Sequence, residues 1–132
     1  MKRLAIVYLV TLFALIPLDF AFLGVIAKPF FTAEVGDMLG GLNLLPAAIF
    51  YPLYVAGVLV FVSGAPGTTL SHGIAYGALF GLFAYATFDL TALATLKHWT
   101  WPAAFADISW GAVVTAISAT AGVAAANWLA PA

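Results

Sequence analysis

Three aspartates interrupt long apolar stretches of this sequence, at Asp19, Asp89 and Asp107. An ionisable side chain in such a water-poor setting is costly, and it marks a functional site more often than a surface charge does. Carboxyl groups brought together there cannot all be ionised. A cluster of them can bind a proton, a cation or an amine, or donate a hydrogen bond to a ligand carbonyl. We therefore predict a ligand- or proton-binding site around the three aspartates.

The polar and aromatic residues nearest the aspartates in the sequence are candidates for the same site. A tyrosine or tryptophan can donate to a carboxylate, a threonine can donate or accept, and a lysine can neutralise charge while reaching towards water. The residues assigned to the site in this way are Tyr51, Tyr54, Tyr85, Thr91, Lys97 and Trp110.

Structural explanations compete with this functional interpretation. Asp107 can be an acid facing the N-terminus of its own helix, where a negative charge is favourable. Asp19 and Asp89 can be packing residues whose carboxyls are hydrogen-bonded by the tyrosines, Thr91 or Trp110. Trp99 and Trp101 fit an aromatic belt at a membrane interface. The sequence leaves these alternatives open.

Composition determines the class of protein. Of 132 residues, 65% are hydrophobic and 7% are charged, whereas soluble domains are about one quarter charged. So few charges cannot cover a water-soluble surface, and we predict an integral membrane protein of one domain, residues 1–132. The chain has no cysteine and no basic cluster, which excludes disulfides, thiolate chemistry and nucleic acid as a partner.

Four apolar stretches are long enough to span a bilayer, and we predict helices at 4–27, 43–63, 70–96 and 103–129. An open sheet would leave backbone groups unpaired in lipid, so the expected fold is an all-α, polytopic four-helix bundle with both termini on one side. Segment 29–41 is predicted to lie on the membrane surface. Asp19 within the first stretch argues against a removable signal peptide. Thr100 is expected to cap the fourth helix, with Pro102 in its first turn.

The connectivity brings the three aspartates to a similar depth. Asp19 precedes Lys28 by nine residues, Asp89 precedes Lys97 by eight, and each lies roughly 12–13 Å along its helix from that end. Asp107 follows the turn at Pro102 by about 8 Å. Antiparallel neighbours therefore carry their acids in the same half of the bundle.

Small residues predict where the helices touch. Gly73, Gly77 and Gly81 repeat at a spacing of four and lie on one stripe of the third helix. Gly111 and Gly122 belong to a small face of the fourth helix. Small residues let helices approach closely in lipid, so we predict that these five glycines form helix-packing surfaces.

No other constellation indicates chemistry. No nucleophile accompanies the aspartates, so no catalytic residues are assigned. No metal-ligand spacing is present, so no metal site is assigned. His72 and His98 belong to opposite ends of the bundle, which argues against a haem held between two histidines. A single pigment or haem ligated by His72 stays open, and the sequence does not identify a cofactor.

Six segments of the sequence resemble a known protein family. Segments 19–24 (DFAFLG), 50–54 (FYPLY), 77–81 (GALFG), 85–91 (YATFDLT), 94–97 (ATLK) and 107–111 (DISWG) resemble a bacterial family of small four-helix predicted membrane proteins of unknown function. The resemblance implies a membrane protein whose signature includes Asp19, Asp89 and Asp107. It implies no reaction.

Three functions remain. The favoured one is a binding or accessory module that holds a lipid, a pigment, a quinone-like molecule or a partner helix near the aspartates. The alternative is a small dimeric carrier coupled to protons or cations, and the third is a lipid-modifying enzyme. Membrane lipids are the expected partners, with a homodimer or a place in a larger membrane complex left open. The resemblance implies a location in the cytoplasmic (inner) membrane of a bacterium. Lys2 and Arg3 favour cytoplasmic termini, although Lys28 and Lys97 balance them on the other side.

Overall fold

A computed structural model describes residues 2–38 and 44–130, and these ranges contain helices and turns but no strand. The α-helices are α1 (Lys2–Ala21), α2 (Lys28–Val35), α3 (Leu44–Val58), α4 (Leu70–Thr95) and α5 (Trp101–Leu129). A π-helical turn, Phe22–Ile26, extends α1, and another, Leu59–Ser63, extends α3. A short 3-10 turn, Gly36–Met38, follows α2.

Four of these helical segments are long and apolar enough to cross a membrane. With their π-helical turns they cover Lys2–Ile26, Leu44–Ser63, Leu70–Thr95 and Trp101–Leu129. The protein is thus an all-α protein of the helical membrane type. In an antiparallel arrangement of four such segments, the first helix begins and the last helix ends on the same side.

The remaining helix, α2, corrects the expected count of four. It has 8 residues, ~12 Å of helix, and cannot cross a hydrocarbon layer of about 30 Å. It begins one residue before the segment 29–41 that the sequence predicts at the membrane surface and otherwise lies within it. Phe31 and Val35 are buried against Ala103 near the start of α5, so this helix covers one end of the bundle. Residues 39–43 lie outside the described part of the chain, and with them the predicted end of this segment and start of the second span.

Local chemistry explains where the helices begin. Thr69 accepts a hydrogen bond from the His72 backbone N–H at 3.1 Å and caps α4. Thr100 accepts from the Ala103 N–H at 3.3 Å and caps α5, as the sequence predicts. Pro102 lies in the first turn of α5, where a missing N–H costs nothing. The short connection between α4 and α5 is thereby fixed, and it places Asp89 and Asp107 near the same end of the bundle.

The helix α5 is the centre of the bundle, and α4 packs along it most extensively. A methyl group added to Gly81 would collide with the carbonyl oxygen of Gly111, and one added to Gly77 would lie 3.0 Å from the Ala116 Cα. Gly73 approaches Thr120 in the same way. The glycine stripe of α4 therefore meets the backbone of α5.

The helix α1 packs on another face of α5, where Gly122 lies against Thr11 and Val7. The helix α3 joins them through a core that includes Leu15, Tyr51, Tyr54, Val55, Val58 and Val114.

At the end that carries both termini, Arg3 donates to the Asn127 side chain at 2.7 Å. Asn127 in turn reaches the Thr68 carbonyl of the α3–α4 turn at 3.5 Å.

Candidate functional site

Asp19 on α1 is held by two other helices. The side chain is 4% exposed, and its two oxygens each accept a hydrogen bond. The Trp110 indole N–H on α5 donates to Oδ1 at 2.8 Å, and the Tyr51 hydroxyl on α3 donates to Oδ2. Hydrogen bonds to a carboxylate are stronger than those between neutral groups. Asp19 thus links α1, α3 and α5 and has a fixed position.

The aromatic ring of Phe22 fixes the Trp110 donor in turn. The two rings stack with their centroids 4.2 Å apart and an angle of 10° between their planes. Phe22 is the first residue of the π-helical turn in which the Ala27 N–H bonds to the Phe22 carbonyl, five residues back, at 2.7 Å. A π-helical turn changes the direction of the side chains that follow it and often accompanies a functional site.

A cavity of about 380 Å³ lies beside Asp19. This volume falls within the range of small-molecule sites in proteins. Two carboxyl groups, two tyrosine rings and four apolar side chains form its walls. The lining residues are Asp19, Leu23, Phe50, Tyr54, Ala84, Tyr85, Phe88 and Asp107. The structure therefore brings residues from all four long helices around one space.

The polar groups of the cavity differ in the hydrogen bonds that they already make within the protein. The Tyr54 hydroxyl is paired with the Thr115 hydroxyl at 2.8 Å, so it contributes mainly its ring. Neither the Tyr85 hydroxyl nor the Asp107 carboxyl makes a well-formed hydrogen bond among the described residues. Asp19 is already bonded, as described above. Asp107 and Tyr85 consequently have the most free capacity to bind a ligand, and Asp19 keeps free lone pairs beside its two hydrogen bonds.

Asp89 lies behind Asp107 and is completely buried, with 0% of its surface exposed. Neither of its carboxyl oxygens makes a well-formed hydrogen bond. The side chains with which it interacts are those of Asp107 and Trp99. The Trp99 indole N–H is likewise buried and without a well-formed partner. Two carboxylates that close repel each other unless a proton or a cation lies between them.

Two residues assigned to the site from the sequence lie elsewhere. Thr91 and Lys97 are exposed and do not line the cavity. Within the described ranges the only ion pair joins His98 and Asp37, both exposed, at 4.0 Å. No described group of three histidine, aspartate or glutamate side chains is placed to hold a metal ion. Among the described residues, Asp19, Asp89 and Asp107 therefore have no lysine, arginine or histidine as a counter-charge.

Other residues of the site were not assigned from the sequence. Trp99 fits a membrane-interface belt by its position after α4, yet the turn folds its ring back onto Phe88, with centroids 5.6 Å apart. Its closeness to Asp89 along the chain is the one sequence signal that could have placed it here. Leu23, Phe50 and Phe88 carry no such signal, because an apolar residue in a membrane helix can face a cavity, a neighbour or lipid.

The fold and the sequence together define a polytopic helical membrane protein with an acidic and aromatic cavity between its helices. Residues 4–124 match the family described as "Predicted membrane protein (DUF2177)". The chain belongs to this family, for which no function is known. No curated protein and no solved structure matches the chain.

Proposed function

We propose that this protein is an integral membrane binding module that takes up a small amphiphile from the bilayer. The observation that carries the proposal is that the cavity combines carboxyl groups with exposed apolar side chains. Asp19 and Asp107 supply carboxyl groups, whereas Leu23, Phe50 and Phe88 are 40%, 41% and 54% exposed. In a bilayer these exposed apolar residues face acyl chains, and a ligand can enter sideways between them.

The proposal includes a membrane arrangement. The four long helices span the inner membrane of a bacterium as a single domain, with both termini cytoplasmic, and α2 lies at the opposite surface. Asp19 is seven residues from Ile26, and Asp89 and Asp107 are each six residues from a helix end, at Thr95 and Trp101. These separations correspond to roughly 9–10 Å of helix, which makes all three aspartates intramembrane.

A second candidate function is a carrier coupled to protons or cations. The observation in its favour is Asp89, a buried carboxyl without a well-formed hydrogen bond beside a second carboxyl. Such a pair can take up and release a proton as the cavity fills and empties. A carrier of this size would be expected to work as a homodimer.

Native mass spectrometry of the protein in lipid nanodiscs tests the two candidates. A bound lipid or other amphiphile is expected in the wild-type protein and is expected to be reduced in Asp107→Asn, which keeps the size of the side chain but cannot ionise. Asp37→Asn is the matched control, because Asp37 is exposed and does not line the cavity. A homodimer without any bound amphiphile would favour the carrier over the binding module.

A further inference from the structure

We propose that the polar end of the amphiphile is a monocation, a protonated amine or a quaternary ammonium group, bound between the Asp19 and Asp107 carboxyls. This inference rests on the binding function proposed above and names the chemistry of its ligand. Three features of the described residues support it: the lack of a basic counter-charge, the aromatic walls and the buried carboxyl of Asp89, which makes no well-formed hydrogen bond.

The charge balance of the site calls for a positive ligand. Asp19 receives two donors, from Tyr51 and Trp110, which is an environment suited to an ionised carboxylate. No described lysine, arginine or histidine lies within ion-pair distance of the aspartates of the site, since the one ion pair is the exposed His98–Asp37 contact. An anionic head group would face the carboxyls with no cation to offset the repulsion.

The walls of the cavity suit an organic cation. Phe50 and Tyr54 stack with centroids 5.2 Å apart, and the Tyr85 ring meets Tyr54 edge-on at 6.2 Å. Phe88 completes the aromatic lining. Ring faces attract ammonium groups, and cages of aromatic residues bind quaternary ammonium ligands. A hard metal ion prefers six or more oxygen ligands, which these mainly aromatic and apolar walls do not supply.

Asp89 provides the independent indication of a ligand. Its carboxyl is fully buried, lacks a well-formed hydrogen bond and faces Asp107. Asp107 and the Trp99 indole lie beside it without forming a well-aligned hydrogen bond. A buried carboxyl in this state calls for an explanation, and a bound ion is one. A cation seated against Asp107 would offset the repulsion between the two carboxyls and would account for their closeness. The proposal thus explains why three acids converge without a basic residue.

The test compares three probes of equal chain length: decylamine, decyltrimethylammonium and decanol. The protein is kept in dodecyl maltoside, a non-ionic detergent that has no ammonium group, and bound probe is measured by native mass spectrometry, with protein-free micelles to correct for partitioning. Both cationic probes are expected to bind at least about tenfold more tightly than decanol, the contribution of one charge-assisted contact. Asp107→Asn is expected to abolish this preference, and Asp37→Asn is expected to retain it.

Asp107 is chosen because its carboxyl makes no well-formed hydrogen bond within the described structure, so the variant should fold. Asp19→Asn serves as a second variant, with circular dichroism to establish that it is folded. If decanol binds as tightly as the amine, the cation inference is overturned and the binding function stands. If none of the probes binds, both fail. A preference for cations that persists in Asp107→Asn would also overturn the inference, because the charge would then be recognised elsewhere.

Discussion

Asp19 is the best-satisfied acid of the protein, and its hydrogen bonds should contribute to stability. Tyr51→Phe removes the donor to Oδ2 and leaves the ring in place. Because a hydrogen bond to a charged group contributes about 1.5–3 kcal/mol, the variant should melt several degrees lower in detergent.

The control for that measurement is Tyr76→Phe. Tyr76 is 51% exposed, its ring stacks on His72, and its hydroxyl has no partner among the described residues. This variant should melt at the wild-type temperature. Equal melting temperatures for the Tyr51 and Tyr76 variants would show that the Asp19 hydrogen bond contributes nothing to stability.

Asp89 leads to the opposite prediction. A buried carboxyl without a well-formed hydrogen bond destabilises the folded state, because it has lost its hydration without replacement. Asp89→Asn keeps the size, removes the repulsion with Asp107 and adds an amide that can donate to it. Its melting temperature should equal or exceed that of the wild type, whereas probe binding should weaken. A clear loss of thermal stability would contradict the prediction and would show that the Asp89 carboxyl stabilises the packing of the bundle.

At the scale of the elements, the contact between α4 and α5 depends on the absence of side chains. Gly81→Ala places a methyl group against the Gly111 carbonyl and the Thr115 hydroxyl, and Gly81→Leu or Gly77→Leu is still larger. Overpacking costs typically about 1–3 kcal/mol, so these variants should unfold at lower temperature or yield less folded protein.

Gly24→Ala is the matched control for the glycine variants. A Cβ at Gly24 would meet no atom within 4 Å, and Gly24 lies in one of the same long helical segments. Alanine favours helix over glycine, so stability should be unchanged or slightly higher. Both melting temperatures are measured by thermal unfolding in the same detergent. Equal values for Gly81→Ala and Gly24→Ala would contradict the close α4–α5 contact at Gly81.

The sequence predicts helix positions and contacts best where a single physical rule determines them. Hydropathy alone indicates the four long helices, and the spacing of Gly73, Gly77 and Gly81 indicates a close-packing stripe, which the structure brings against α5. The π-helical turns leave no comparable signal. They depend on how the ends of α1 and α3 fit their neighbours, which no local propensity encodes.

The candidate site could be anticipated only in part for a similar reason. Acids in apolar helices are conspicuous, and antiparallel connectivity fixes their depth, so the sequence alone groups Asp19, Asp89 and Asp107. Rotation about each helix axis decides which neighbours join them. Thr91, two residues after Asp89, falls on the exposed face, whereas Trp99 reaches the site through the turn.

At the scale of the whole molecule, α5 is the helix on which the others assemble. Its small residues allow α4 to pack closely on one face and α1 on another. The same helix contributes Trp110 and Asp107 to the site. Packing and ligand binding therefore share one element. Acid groups at one end and the Arg3–Asn127 contact at the other give the bundle two chemically distinct ends.

This polarity gives a topology prediction that the cysteine-free chain is well suited to test. Ala65→Cys lies in the exposed α3–α4 turn, on the side of the termini, and Ala33→Cys lies on the exposed face of α2, at the other end. With four spans and cytoplasmic termini, a membrane-impermeant maleimide added to intact cells should label Ala33→Cys. It should label Ala65→Cys only after the membrane is opened.

Lys2→Cys is the reference, since Lys2 begins α1 and is exposed on the side of the termini. It should behave as Ala65→Cys does, because α1 and the α3–α4 turn are joined through Arg3, Asn127 and Thr68 at that end. The reverse labelling pattern would be consistent with four spans but with the opposite orientation. The orientation is predicted from Lys2 and Arg3 on the side of the termini, which compete with Lys28 and Lys97 on the other side. Labelling of Ala33→Cys and Ala65→Cys from the same side would contradict the crossing itself, and with it the intramembrane position of the aspartates.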